Sequence, residues 1–300
     1  MAAATPSTTP RPTKTLTSAG GGLGVLARAA LPVVPGLNQL PGIRKTGGDP
    51  AGLAYERPPV RVERDAVRAY AEVCGFPAKD TVPLPYPHML AFPLHMAIMS
   101  DPGFPYPAIG TVHLENSISS HRPIAVREEV AVRTEVGSPR PHPKGKVLDF
   151  RTSAHVGDEL VWESTSVYLR RGRGDDDAPF GTPFEEVPPT GTRWRLGGDL
   201  GRRYAAVSGD HNPIHLYPWT AKALGFQRQI AHGMWTKARC IAQLENRLPD
   251  AVRVDVSFRK PVFLPGTVAF GSRAEHDGWA FSLTSPRNGA VHLLGRTHAL

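Results

Sequence analysis

The 300-residue sequence has only two cysteines, Cys74 and Cys240, far apart and without metal-ligand spacing. That excludes a disulfide framework and suits a reducing compartment. Long apolar runs are also missing. The run at residues 23–34 is too short to span a bilayer, is followed by no small-residue cleavage site, and reads as linker rather than signal peptide. A cytoplasmic protein without membrane association is the expectation. Basic runs interleaved with aromatics are absent, which argues against nucleic acid. There is no serine nucleophile elbow and no Cys/His pair. Gly22-Leu-Gly24-Val-Leu-Ala27 has neither a preceding strand nor a following acid, so it is not a dinucleotide loop.

What is present is an ordinary globular composition, 40% hydrophobic and 21% charged, over a length comfortable for two lobes. The net charge of +8 suits an acidic partner, such as the phosphates of a thioester carrier or an acidic carrier protein. Residues 1–58, rich in Ser, Thr, Pro and Gly, read as a tail and irregular arm. Beyond them the chain repeats itself. Tyr70-Ala-Glu-Val-Cys-Gly-Phe76 aligns with Tyr204-Ala-Ala-Val-Ser-Gly-Asp210, Tyr86-Pro87-His88-Met89 with Ile230-Ala231-His232-Gly233-Met234, and His121-Arg122-Pro123-Ile124 with Arg259-Lys260-Pro261-Val262. About ten extra residues separate the first two anchors in the second copy.

Each copy predicts a short helix at its Tyr, a longer central helix and a run of strands. The second central helix is expected at residues 233–247, with strands at 252–259, 267–274, 279–285 and 290–298. The first copy offers strands at 110–119, 130–136, 147–156 and 160–170. The domains are then residues 59–172 and 191–300, joined by a Pro- and Asp-rich linker at 173–190. The fold class is α+β: two tandem copies of a central helix wrapped by a curved antiparallel sheet.

One segment carries chemistry. Ser208-Gly209-Asp210-His211-Asn212-Pro213-Ile214-His215 places a carboxylate and an imidazole on either side of an Asn-Pro turn. Asn212 is a natural N-cap and Pro213 a natural first helical residue, predicting one short helix through Trp219 to Leu224 that stops at Gly225. Singly, Asp210 reads as a turn residue and His215 as a packed core histidine. Together they can hold and activate one water. His211 and His215 stand four apart, but the intervening Pro213 and the lack of a third ligand nearby argue against a metal.

Gly-Asp-x-Asn-Pro-Ile-His, followed by Ala-His-Gly-Met, resembles the signature of the MaoC-like (R)-specific enoyl-thioester hydratases and dehydratases. The resemblance implies a double hot-dog fold and reversible hydration of 2-enoyl thioesters carried on coenzyme A or acyl carrier protein, without metal or redox cofactor. It implies Asp210 and His215 as catalytic residues and the Gly233 amide as oxyanion donor. It also implies a first copy that holds the acyl chain, with Phe76 standing where the second has Asp210. Many members carry Asp two residues after the His, where this chain has Tyr217. Asn212 is expected to shape the turn or touch the water. Arg202, Arg203, Arg228, Lys237, Arg259 and Lys260 are candidates for the carrier's phosphates. The alternatives are a hot-dog acyl-thioesterase and a non-catalytic thioester-binding subunit, and the chain is either a monomer of pseudo-dimeric halves or a homodimer.

Overall fold

A computed structural model of the chain describes residues 11–16, 45, 48–108 and 110–300. The apolar run at 23–34 and the Gly22 loop lie outside them. The described chain forms β1 (Lys14–Thr15), β2 (Ala54–Arg61), α1 (Arg64–Cys74), α2 (Pro87–Ser100), β3 (Thr111–Ser120), β4 (Glu129–Val136), β5 (Arg140–His142), β6 (Gly145–Val156) and β7 (Glu159–Arg171). The second half follows as β8 (Thr192–Leu196), α3 (Leu200–Ser208), α4 (Pro213–Leu216), α5 (Pro218–Ala223), α6 (Gly233–Leu244), β9 (Val252–Phe258), β10 (Gly266–Ala274), β11 (Gly278–Thr284) and β12 (Val291–Ala299).

One twelve-stranded sheet runs β1-β2-β4-β6-β7-β3-β9-β12-β11-β10-β8, with β5 beside β6. Its order is palindromic about the β3–β9 seam: β2, β4, β6, β7 and β3 on one side answer β8, β10, β11, β12 and β9 on the other. The sequence repeat is thus a structural repeat, and the fold is a double hot-dog. At the seam β3 and β9 pair antiparallel from Glu115–Ser257 to Ser120–Val252. Alternation accounts for strands such as β4, whose residues Val130, Val132, Thr134 and Val136 are buried between less buried neighbours. The predicted strands all form, with ends shifted by a residue or two.

The helices obey the same symmetry. Helices α1 and α3 end on left-handed glycines, Gly75 (φ 79°) and Gly209 (φ 74°), because reversing the chain there needs a conformation that a Cβ disfavours. Tyr70 and Tyr204 meet between them with ring centroids 6.2 Å apart. The central helices are α2 and α6. The Trp235 indole on α6 donates to the Val73 carbonyl of the first half at 2.9 Å, and residues of both halves share one core. The ten extra residues of the second copy are α4 and α5.

Three expectations are corrected. The arm does not stay irregular up to residue 58: β2 begins at Ala54, and β1 lies parallel to it. Strand β2 was hidden by Pro58 and Pro59, which sit at a register shift between Arg57 and Val60. Strand β8 was not anticipated either. The helix after Asn212 is two helices, because Tyr217 precedes Pro218 and is driven out of the helical region to φ −141°, ψ 152°. Asn212 caps α4 as expected, its Oδ1 accepting from the Ile214 amide at 3.4 Å, and Gly225 follows α5 at φ 88°. The central helix proper ends at Leu244, and Glu245–Arg247 tighten into a 3₁₀ turn. Residues 172–191 cross the sheet without forming helix or strand, held by contacts such as Val187 N–H to Ser282 Oγ at 2.8 Å. Cys74 and Cys240 are free thiols in the core.

Candidate active site

The site is assembled by three features: the Gly209 reversal, the Asn-Pro turn and the start of α6. Asp210 leaves α3 and folds over the turn, its Oδ1 accepting from the Asn212 amide at 3.1 Å. His215, on α4, is 7% exposed. Its Nδ1–H donates to the Ile230 carbonyl at 2.8 Å, which leaves Nε2 as a bare acceptor. Burial lowers the His215 pKa from the ordinary imidazole value against an opposing pull from Asp210, so the ring is neutral near pH 7.

His232 completes the group, a residue whose place in Ala-His-Gly-Met does not by itself mark it as functional. It is 2% exposed, stacks on His215 with centroids 3.7 Å apart, and donates Nε2–H to the Asp210 backbone carbonyl at 2.9 Å. Its Nε2 lies 3.8 Å from Asp210 Oδ2. Burial and the neighbouring His215 push its pKa well down. His232 therefore ties the Asp210 loop to the start of α6 and fixes the plane of the His215 ring.

Gly233 is the first residue of α6, so its amide is among those with no partner inside the helix. A Cβ at this position would sit 3.3 Å from the Phe258 ring, tight enough that the glycine lets Phe258 close over the backbone. A carbonyl oxygen approaching this terminus meets N–H groups rather than a side chain.

Asp210, His215 and His232 also offer ligand atoms that all lie within 4.8 Å of one another. The bonds made through His215 Nδ1 and His232 Nε2 leave His215 Nε2 and His232 Nδ1 as the ring nitrogens without a hydrogen-bond partner among the described residues. His211 belongs elsewhere: its Nδ1 lies 3.1 Å from the Gly209 carbonyl.

Other candidates are placed differently. Lys237 is corrected: its ammonium is fully buried and cannot meet a carrier's phosphates. Its Nζ contacts Asn116 Oδ1 at 2.6 Å, the Asn116 carbonyl at 3.1 Å and the Val254 carbonyl at 3.0 Å. It pins α6 to the β3–β9 seam, and burial pushes its pKa well down. Phe76 is 8% exposed and stacks on Tyr70 at 6.4 Å, so it is packed in the shared core. Arg202 donates to the Leu216 carbonyl at 2.9 Å and covers the exposed Tyr217 ring at 4.9 Å. Arg228, lying over Phe263, and Arg203, Arg259 and Lys260 are exposed. Tyr217 points away from the site and stacks on Trp219, so the Ile230 carbonyl, not position 217, supports His215.

Residues 179–280 match the MaoC like domain. The chain is 38% identical over 281 residues to 3-hydroxyacyl-thioester dehydratase X of Mycobacterium tuberculosis, covering 91% of this chain and 95% of that protein. It is 26% identical over 152 residues to the peroxisomal enoyl-CoA hydratase 2 of Arabidopsis thaliana, covering 45% and 49% of the two chains. The crystal structure of HtdX of Mycobacterium tuberculosis superposes with a TM-score of 0.74 at 37% identity, over 82% of this chain and 100% of that one. With the hydratase segment, the palindromic sheet and near full-length similarity in agreement, the chain belongs to the MaoC-like dehydratase family.

Proposed function

We propose that the protein catalyses reversible hydration of trans-2-enoyl thioesters to (R)-3-hydroxyacyl thioesters, acting as a dehydratase in reverse, in fatty-acid or polyketide metabolism. The observation that carries this reading is the bare Nε2 of neutral, buried His215 beside the Asp210 carboxylate, at the N-terminus of α6. Asp210 orients a water, His215 Nε2 takes its proton as oxygen attacks the third carbon, and a proton returns to the second carbon on the same face. The Gly233 amide receives the negative charge that develops on the thioester oxygen. General acid–base assistance of this kind contributes roughly 10²–10⁴-fold.

The half from residue 191 to 300 then does the chemistry, and the half from 59 to 172 receives the acyl chain. Arg202, Arg203, Arg228, Arg259 and Lys260 remain the cations for a coenzyme A or carrier-protein phosphate. No helix among the described residues is long and apolar enough to cross a membrane. A cytoplasmic enzyme, monomeric or homodimeric, is the working description. The test is loss of ultraviolet absorbance from a short trans-2-enoyl-CoA, with product stereochemistry assigned. The (R)-3-hydroxyacyl product supports the proposal, whereas release of free CoA points to a thioesterase.

A further inference from the structure

The first half carries a second set of histidines that the chemistry above leaves unused. His88, at the first turn of α2, is the repeat counterpart of His232 and is 2% exposed, yet its Nδ1 is buried without a hydrogen-bond partner. His113, on β3, has a buried and equally unpartnered Nε2. The two rings face each other, centroids 6.3 Å apart and planes 22° from parallel. Such atoms are uncommon in folded interiors unless something fills their valence.

Their position ties them to the proposed centre. The Asp210 carboxylate acts electrostatically on both His88 and Tyr168. His113 packs on Tyr168 at 4.5 Å and on Phe258 at 5.1 Å, and Phe258 is the ring that covers Gly233. Two helical turns beyond His88 the wall is still polar but already satisfied: His95 lies 3.2 Å from the Tyr168 hydroxyl and 3.1 Å from Thr152 Oγ1, which meets Thr134 Oγ1 at 3.0 Å.

We propose that His88 and His113 form a hydroxyl-binding subsite in the acyl pocket, so that the preferred thioesters carry a hydroxyl group a few carbons beyond the third. This rests on the hydratase reading only for the direction in which the acyl chain leaves Asp210. The donor pattern fits a hydroxyl. Each ring leaves one buried nitrogen without a partner, and a neutral imidazole nitrogen donates or accepts according to its tautomer. A hydroxyl donates to one and accepts from the other.

The test uses saturated acyl chains, which bind but cannot be hydrated. Calorimetry would compare hexanoyl-CoA with its 5-hydroxy and 6-hydroxy derivatives on the wild-type chain and on His88→Leu and His113→Leu, with melting curves to certify folding. At least one hydroxylated chain is expected to bind about tenfold or more tightly than hexanoyl-CoA, with the ratio falling to within threefold in both variants. His88→Gln, which keeps a donor, should retain part of the ratio and serves as the readout if His88→Leu fails to fold. Equal binding of all three chains by the wild type, no binding of any, or a preference that survives both Leu variants would overturn the subsite. Absence of enoyl-CoA turnover together with an intact binding preference would instead overturn the hydratase reading and leave the subsite standing.

Discussion

The imidazoles of His215 and His232 lie face to face, 3.7 Å between centroids and 28° from parallel, each anchored through one nitrogen to a backbone carbonyl. His232 supplies no reacting atom in this arrangement; it supplies the plane against which His215 is held. Its replacement by Phe keeps a ring but removes the bond to the Asp210 carbonyl. His232→Phe should lower kcat by about tenfold with little change in KM, as expected for lost orientation. A kcat within twofold of wild type would remove His232 from the machinery.

Asp210→Asn and His215→Ala remove the two groups that hold the water. Each should lower kcat/KM for a short enoyl-CoA by about 10²–10⁴-fold. Asp210 is only half-buried and its fold-defining contacts are local, so the Asn variant should melt within a few degrees of wild type. Near-normal turnover in either variant would sink the assignment.

Lys237 gives a prediction about stability. Its Nζ satisfies Asn116 Oδ1 and two seam carbonyls, so Lys237→Met strands acceptors in a closed interior. The expected cost is about 1–3 kcal/mol. Differential scanning calorimetry should show Tm falling by several degrees. An unchanged or raised Tm would mean that water replaces the ammonium or that desolvating it cost more than its contacts returned.

The buried histidines fix a pH dependence. His88 is pushed down to about 4 by burial and Lys237, while His95, His113, His215 and His232 are also lowered by burial. A lowered folded pKa means that below the unfolded value of about 6.5 the unfolded chain binds more protons, so stability is lost as pH falls from there toward 4. His88 alone contributes up to about 3 kcal/mol across that window. Chemical denaturation at pH 7 and pH 5 should show the loss, and His88→Leu should flatten part of it. Stability independent of pH between 7 and 5 would contradict the buried neutral state.

Phe76 illustrates how far the sequence could be read. Its alignment with Asp210 is borne out by the matching left-handed glycines before each, which is a backbone property visible in the residue types. That the ring turns into the core against Tyr70 depends on packing between copies, which one copy's pattern does not contain. Phe76→Ala should therefore act on stability, by about 3–5 kcal/mol, more than on chain-length preference. The fold was legible because period-2 alternation and the repeat are local signals. Strands β2 and β8 were not, because Pro58-Pro59 and the Arg193-Trp194-Arg195 alternation read as edge or loop until a neighbour pairs with them. The Asp210–His215 pair was legible in order, whereas its orientation by Ile230 and His232 required the two segments to meet. Lys237 could not be told from a surface cation, because a helix heptad reveals a face but not what closes over it.

The two outer margins of the sheet are treated in different ways. One ends at β8, five residues whose Arg193 and Arg195 are exposed; at the other, β1 lies along β2. An open row of backbone donors and acceptors recruits other chains, and brevity, charge and a covering segment are the known deterrents. The seam removes two further margins by pairing β3 with β9. Joining the copies thus leaves a sheet twice as wide with no more free border than one copy would have, which guards the protein against edge-to-edge aggregation at high concentration.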